Sequence, residues 1–385
     1  MRFRRPLAVL SLALVLPTAE SVAAEEPATT AEAIEPEYVR PLVPVGRERN
    51  DSNPVWSLSG DTVAFERSRG DDKEIVIVRT SGEVVQTIHQ QATPAPGQST
   101  FFFPGVVEPT SYNSGITWSP DGKRLVFMSN GGEGNYDLYL RESDGRITRI
   151  TTDREKDGHA DWSPTADQIA FVSGRSGKGD VYLLDLTKKT TTRLTHGDHP
   201  YLYPQWSPDG KRLAFIQGSN ENHDVAVLDP GRIPPLPPKR LSTWRYDDLR
   251  PVWSPDGKRI AFYTNYNVAG DSKTWAIAVV AADGSDPTEG DGLAARIVAT
   301  EVVPDVERGP AWLPDNRRIA YVRDERQAYY PIYVADVESR ASALLRTDTK
   351  MNHDVTCSRA GLIAFRAQVD QWDQVYVAKV KDSKP

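Results

Sequence analysis

One cysteine, Cys357, stands among 385 residues, so no internal disulfide can hold this chain's fold together. Beyond residue 16 no apolar run is long enough to cross a bilayer as a helix. There is no Gly-x-Ser-x-Gly elbow, no His-Glu-x-x-His and no phosphate loop, which removes the common hydrolase, zincin and nucleotide signatures. Gly174-Arg175-Ser176-Gly177-Lys178-Gly179 has the wrong spacing for a nucleotide loop and reads as a hairpin loop. A basic excess is also missing. Lys and Arg number 46 against 53 Asp and Glu, and a formal charge of −7 suits neither nucleic acid nor anionic lipid.

What is present is a repeat. Pro251-Val252-Trp253-Ser254-Pro255-Asp256-Gly257-Lys258-Arg259-Ile260-Ala261-Phe262 reads as a short strand, a tight turn and a second strand. Pro255 presets φ for the second turn position, Asp256 tolerates the bridge conformation, and Gly257 takes the left-handed position that lets the strands pair. Ile260 and Phe262 alternate with Arg259 and Ala261, as a half-buried strand requires. The unit recurs at Trp118-Ser119-Pro120-Asp121-Gly122 and Trp206-Ser207-Pro208-Asp209-Gly210. Altered copies stand at Trp56-Ser57-Leu58-Ser59-Gly60, Trp162-Ser163-Pro164 and Trp312-Leu313-Pro314-Asp315. A seventh copy has Cys357-Ser358 where Trp-Ser is expected, and continues through Gly361 to Phe365.

Successive copies lie 62, 44, 44, 47, 59 and 45 residues apart. A period of about 40–45 residues with four short strands per unit marks a β-propeller blade. Tyr136-Asp137-Leu138-Tyr139-Leu140 reads as a third strand and Arg146-Ile147-Thr148-Arg149-Ile150-Thr151 as a fourth. A blade cannot bury its own faces, so the blades must stack round a central channel. The predicted fold is all-β, a seven-bladed β-propeller of four-stranded blades. After Gln374-Val375-Tyr376-Val377-Ala378 the chain reaches Pro385 without a fourth strand for its last blade. Residues 38–43 are predicted to supply it as the outermost strand, where Pro41 is tolerable because one edge faces water. That strand would close the ring. The repeat Trp residues belong in the core between blades, and Cys357 reads there as a small buried hydrophobe rather than a reactive thiol.

These Trp-Ser-Pro-Asp-Gly units resemble the repeat of the TolB-like β-propeller family, over about residues 50–380. The resemblance implies a periplasmic protein of a Gram-negative bacterium. It does not extend to the α/β domain that precedes the propeller in TolB, because only residues 25–53 stand before the first complete copy.

Arg2, Arg4 and Arg5, the apolar run from Leu7 to Leu16 and the small residues of Val22-Ala23-Ala24 read as a signal peptide over residues 1–24, cleaved near Ala24. Its removal takes away three Arg and one Glu and moves the formal charge from −7 to about −9. Residues 25–36, rich in Ala, Glu, Pro and Thr, are expected to form a disordered linker, and residues 37–385 the propeller. The mature chain is expected to be a soluble monomer, periplasmic or secreted, with no membrane span. Long steps locate insertions at 89–114, 265–274 and 282–294, and residues 230–238 form a stiff proline-rich connector. Phe101, Phe102 and Phe103 are expected to tuck against the propeller.

Five residues before each repeat Trp lie Asp51, Asn113, Asp157, Tyr201, Asp248 and Glu307, with Asn352 in the same place before Cys357. This position falls in the loops at one channel mouth, and TolB-type repeats often carry Asp there. Either each side chain caps neighbouring backbone N–H groups, or the set forms a carboxylate ring that draws a basic partner segment. Tyr203, Trp244, Arg245 and Tyr246 share these loops and are the residue types that anchor protein interfaces. His159, His199 and His353 lie there too and are candidate metal ligands, although their offsets from the repeat differ. The expectation is a protein or peptide partner of the cell envelope, bound at this mouth without a cofactor. The alternative is a metal-dependent carbohydrate-active lyase or hydrolase, as some seven-bladed relatives of the family are, with its site in the channel.

Overall fold

The structure, a computed structural model, describes residues 32–70, 72–90, 112–131, 135–219, 222–232, 236–266, 275–286, 292–293, 296–305, 307–325 and 329–380. Among the described residues there is no α-helix; the chain forms seven four-stranded antiparallel sheets, the blades of a propeller. Six blades take their strands in chain order, from an inner strand ending at the repeat Trp to an outer edge. The inner strands are Asn50–Trp56, Asn113–Trp118, Asp157–Trp162, Tyr201–Trp206, Asp248–Trp253 and Ala311–Trp312, with Lys350–Cys357 in blade seven. In blade seven the outermost strand is Pro36–Pro41, paired antiparallel with Trp372–Val380. Both ends of the described chain therefore meet in one sheet.

The repeat residues explain why the blades form and how they join. In the three complete turns the Ser hydroxyl donates to the Asp carboxylate at 2.5, 2.6 and 2.6 Å. The same carboxylate accepts the N–H of Lys123, Lys211 or Lys258 at 3.1 Å. Gly122, Gly210 and Gly257 sit at φ 66°, 68° and 70°, a conformation that strains any residue with a Cβ. The Arg that follows the turn reaches the next blade. Arg124, Arg212 and Arg259 lie over the rings of Trp162, Trp253 and Trp312 at 5.0, 4.7 and 5.6 Å. Indole N–H groups point the other way: Trp118, Trp253 and Trp312 donate to the carbonyls of Val55, Gln205 and Val252 in the preceding blade at 3.2, 3.1 and 3.1 Å.

The core is seven clusters, one in each seam between adjacent blades. On the second strand of each blade an aromatic ring faces the previous blade: Phe65, Phe127, Phe171, Phe215, Phe262, Tyr321 and Phe365. Its preceding residue, small in six blades and Val126 in the other, faces the next blade. Phe262 thus shares a cluster with Ala214, Tyr321 with Ala261, and Phe365 with Ala320. Strand alternation places both side chains, and the pairing of large with small lets the facing sheets interdigitate in each seam. The seam between blades seven and one holds Leu42 and Val43 against Trp56, Phe65, Val375 and Val377.

Two expectations need correction. The linker expected over 25–36 does not run its full length, since Ile34 bridges Leu345 and Pro36 opens a strand. Trp244 is not a surface anchor; it is 6% exposed and packs in the blade four–five seam beside Trp253. Phe101, Phe102 and Phe103 lie outside the described residues, as do Pro234 and Pro235 of the connector.

Trp244→Ala and Trp253→Ala are each expected to cost about 3–5 kcal/mol in denaturant unfolding, because both leave a cavity in one cluster. Deleting residues 25–46 should open the ring. It removes the Pro36–Pro41 ladder and the burial of Leu42 and Val43, about 1.5–3 kcal/mol for each side chain. A truncated chain that melted at the full-length temperature would refute this closure.

Candidate functional site: the central channel

The residues five before each Trp do not form an open ring. Asp51, Asn113, Asp157, Tyr201, Asp248 and Asn352 are all at most 4% exposed. Asp51 takes both ends of the Arg67 guanidinium at 2.7 and 2.9 Å, and Asp157 takes Arg175 at 2.8 Å. Asn113 donates to the Lys73 carbonyl at 2.8 Å and Asn352 to the Tyr330 carbonyl at 2.9 Å. Burial raises the Asp248 carboxyl well above its usual range, which favours its neutral form. These side chains fasten strand ends, which corrects the accessible carboxylate ring. Glu307 alone of the seven is only part-buried and reaches the channel.

Two residues further along, the channel wall begins. Asn53, Gly115, His159, Tyr203, Arg250, Gly309 and Asp354, each three before its Trp or Cys357, all have positive φ between 49° and 95°. In six blades the pairing register shifts at this point, the mark of a β-bulge that re-aims a side chain. The bulge turns these residues toward the axis, where they line the cavities. His159 rests on Tyr203 with centroids 4.4 Å apart, the Arg250 guanidinium lies 3.6 Å from the Tyr203 centroid, and Glu307 accepts from Arg250 at 3.5 Å. A belt of two aromatic rings followed by an Arg–Glu pair thus runs from blade three to blade six. Arg245 and Tyr246 lie outside it, with the guanidinium 5.5 Å over the ring and Tyr246 edge-on to Tyr266.

Three cavities follow the channel. One of about 250 Å³ lies among blades five, six, seven and one, lined by Asp305, Glu307, Asp354, Arg366 and the rings of Tyr263 and Tyr321. A second of about 120 Å³ holds His159, Tyr203 and Arg250. A third of about 780 Å³ opens at the turn end, walled by the six repeat Trp residues and Pro164, Pro208, Pro255 and Pro314. Arg308 lines both the second and the third, and its guanidinium points from blade six to the carbonyls of Ile116 and Asn53 at 3.4 and 3.5 Å.

Electrostatics in the channel are set by desolvation. Burial, helped by Arg250, holds the His159 imidazole down to about 3, so it is neutral. Asp161 is pushed up to about 6 by burial, against the N–H of Trp206, the hydroxyl of Thr117 and the charge of Arg308. Burial and then the charge of Asp354 raise Asp305 to about 7. Glu66 goes the other way: burial would raise it, but the charge and hydrogen bond of Lys73 and the Ser114 hydroxyl hold it below the usual range.

This fold and channel define a seven-bladed β-propeller. Residues 104–289 match the TolB beta propeller domain, and this segment belongs to that family. The repeats outside it at Trp56, Trp312 and Cys357 build the same four-stranded blades, so the chain carries a TolB-like propeller. No curated protein matches the chain. Among solved structures, TolB from Acinetobacter baumannii is similar at TM-score 0.50 and 18% identity; the match spans 77% of this chain and 62% of that one, less than two thirds of its length. An oligogalacturonate lyase in complex with manganese is similar at TM-score 0.60 and 13% identity, over 92% of this chain and 96% of that one. A puromycin-hydrolyzing peptidase from Mycobacterium tuberculosis matches at TM-score 0.63 and 14% identity, over 93% of this chain and 55% of that one. At such identities the likeness is one of fold.

His159 lines the second cavity and His353 the first, while His199 lines neither. Among the described residues no three His, Cys, Asp or Glu side chains are grouped to hold a metal ion. The three candidate ligands are therefore not brought together.

The buried His159 gives a pH signature. Its folded value of about 3 lies below the unfolded 6.5, so the unfolded chain binds the extra proton between these limits. Stability present above pH 6.5 is then lost as pH falls toward 3. In pH-dependent urea melts, His159→Asn should lose less stability than the wild type over this window. Parallel curves would place His159 in solvent.

Proposed function

We propose that this chain is an exported, envelope-associated scaffold whose propeller binds a protein or peptide segment at the channel mouth. In this reading residues 1–24 are the signal peptide, the mature chain acts as a monomer in the periplasm or outside the cell, and the partner is basic. The observation that carries it is the belt His159–Tyr203–Arg250–Glu307, whose first three residues sit on left-handed bulges and which is continuous with two polar cavities. Preset aromatic and Arg groups beside carboxylates offer burial and directional bonding at little ordering cost, as interface anchors do. Among the described residues no helix is long and apolar enough to cross a membrane. The sequence's acidic balance favours a partner bearing Lys or Arg, whose association should slow as salt screens charges beyond about 8–10 Å.

The test is a selection from a random dodecapeptide library against the immobilised full chain. Enriched peptides should bind at least tenfold more weakly to the double variant Tyr203→Ala, Glu307→Lys, while its thermal melt shows a folded propeller. Unchanged binding by the double variant, or no enrichment with the wild type, would sink the reading.

A further inference from the structure

We propose that the cavity of about 250 Å³ among blades five, six, seven and one is the seat for a Lys or Arg side chain of the partner segment, with Asp305 Oδ2 as its acceptor. This inference rests on the peptide-binding reading of the channel and assigns its specificity pocket. Three carboxylates line the cavity, Asp305, Glu307 and Asp354, against one guanidinium, Arg366. That guanidinium is already engaged by Asp354 at 2.9 Å and by Asp373 at 2.9 Å, so it does not neutralise the far side. Asp305 Oδ1 accepts the N–H of Glu307 at 2.7 Å and of Arg308 at 3.1 Å. Its Oδ2 is buried and accepts no hydrogen bond among the described residues. A carboxylate oxygen desolvated in this way is costly unless a donor reaches it, and a cation is the donor that suits a negative wall.

The rest of the cavity fits an alkyl stem. Val303, Pro304, Val322 and Val355 supply apolar walls, and Tyr263 and Tyr321 supply ring surface. Lys and Arg bury their methylenes against such surface while the charged head seeks a polar partner.

Proton linkage follows from the groups facing Asp305. Burial and Asp354 push its carboxyl up to about 7; the Glu307 N–H, Arg308 and Arg250 pull it down. Glu307, His353 and Arg366 also line the cavity, and burial keeps His353 below its usual value, on the neutral side. The free pocket therefore holds a proton for much of the time at neutral pH, and an incoming cation displaces it. Affinity should rise with pH through about 7, by up to tenfold per unit below that value.

The experiment uses dodecapeptides selected on the full chain at pH 8. They should share a Lys or Arg at one position, and its replacement by Met should weaken binding at least tenfold. Asp305→Asn should cost the basic peptide at least tenfold, leave the Met peptide unchanged, and abolish the gain in affinity between pH 6 and pH 8. Val303→Trp, which fills the cavity from its half-buried rim, should show the same selective loss and guards against misfolding of the first variant. Selected peptides without a common basic residue, or an unchanged preference in both variants, would overturn the pocket and leave peptide binding standing. Failure to select any peptide would overturn both.

Discussion

Stability here depends on contacts between blades, since no blade has a core of its own. Each of the seven hydrophobic clusters is shared by two neighbours, and Trp253 and Trp312 each bind the preceding blade through an indole N–H while lying under that blade's Arg. The Trp-Ser-Pro-Asp-Gly-Lys-Arg string is thus one joint rather than seven separate preferences. Ser and Asp shape the turn, Gly lets it close, and Arg passes the constraint to the next blade. A ring of such joints has no free end only if the last seam is also filled. Without a disulfide, that task falls to Leu42, Val43 and the Pro36–Pro41 strand.

The same inner strands that lock the ring also make the channel. At five before the Trp the chain fixes strand ends with buried ion pairs such as Asp51–Arg67 and Asp157–Arg175. Two residues later it enters the left-handed region and turns a side chain to the axis. Structural and accessible polar residues therefore alternate over a span of three positions. Gly115 and Gly309 occupy the left-handed position in blades two and six, and at Gly309 an added Cβ would come within 2.8 Å of the Arg250 carbonyl. With no side chains there, the axis is left to Arg308, which approaches from blade six.

Fold and closure were legible in the sequence because the repeat is periodic and its turn chemistry is local. The strand at residue 38 could be placed by counting strands, and Pro41 fits there because an edge strand needs no inward donor. The site was legible only in part. The column of polar residues at one offset left capping and an open ring both possible, and Arg67 on the second strand of blade one and Arg175 in the 3-10 turn after the second strand of blade three draw two of its carboxylates into the blades. Trp244 stands outside the repeat and was therefore expected at the surface, yet the loop before blade five folds it into a seam. One signal was available and unused: Asn53, Gly115, His159, Gly309 and Asp354 are residue types that tolerate positive φ, recurring three before the Trp. Asp305 carried no signal, because it lies in a connection between blades and outside the repeat.

That last point bears on where specificity sits in a repeat fold. Positions within the repeat must satisfy the joint, and their side chains are largely spent on neighbours. Connections are under no such demand, and here the connection from blade five to blade six supplies Asp305, Glu307 and Arg308 to the channel. Those three residues make the polar contacts that differ from the seven-fold pattern. They convert a nearly symmetric tube into a lopsided one, negative on the side of blades five to seven and aromatic on the side of blades three and four. A symmetric channel would bind a segment in seven equivalent rotations. An asymmetric one fixes a single orientation, because one wall groups Asp305, Glu307 and Asp354 while the other offers His159 and Tyr203.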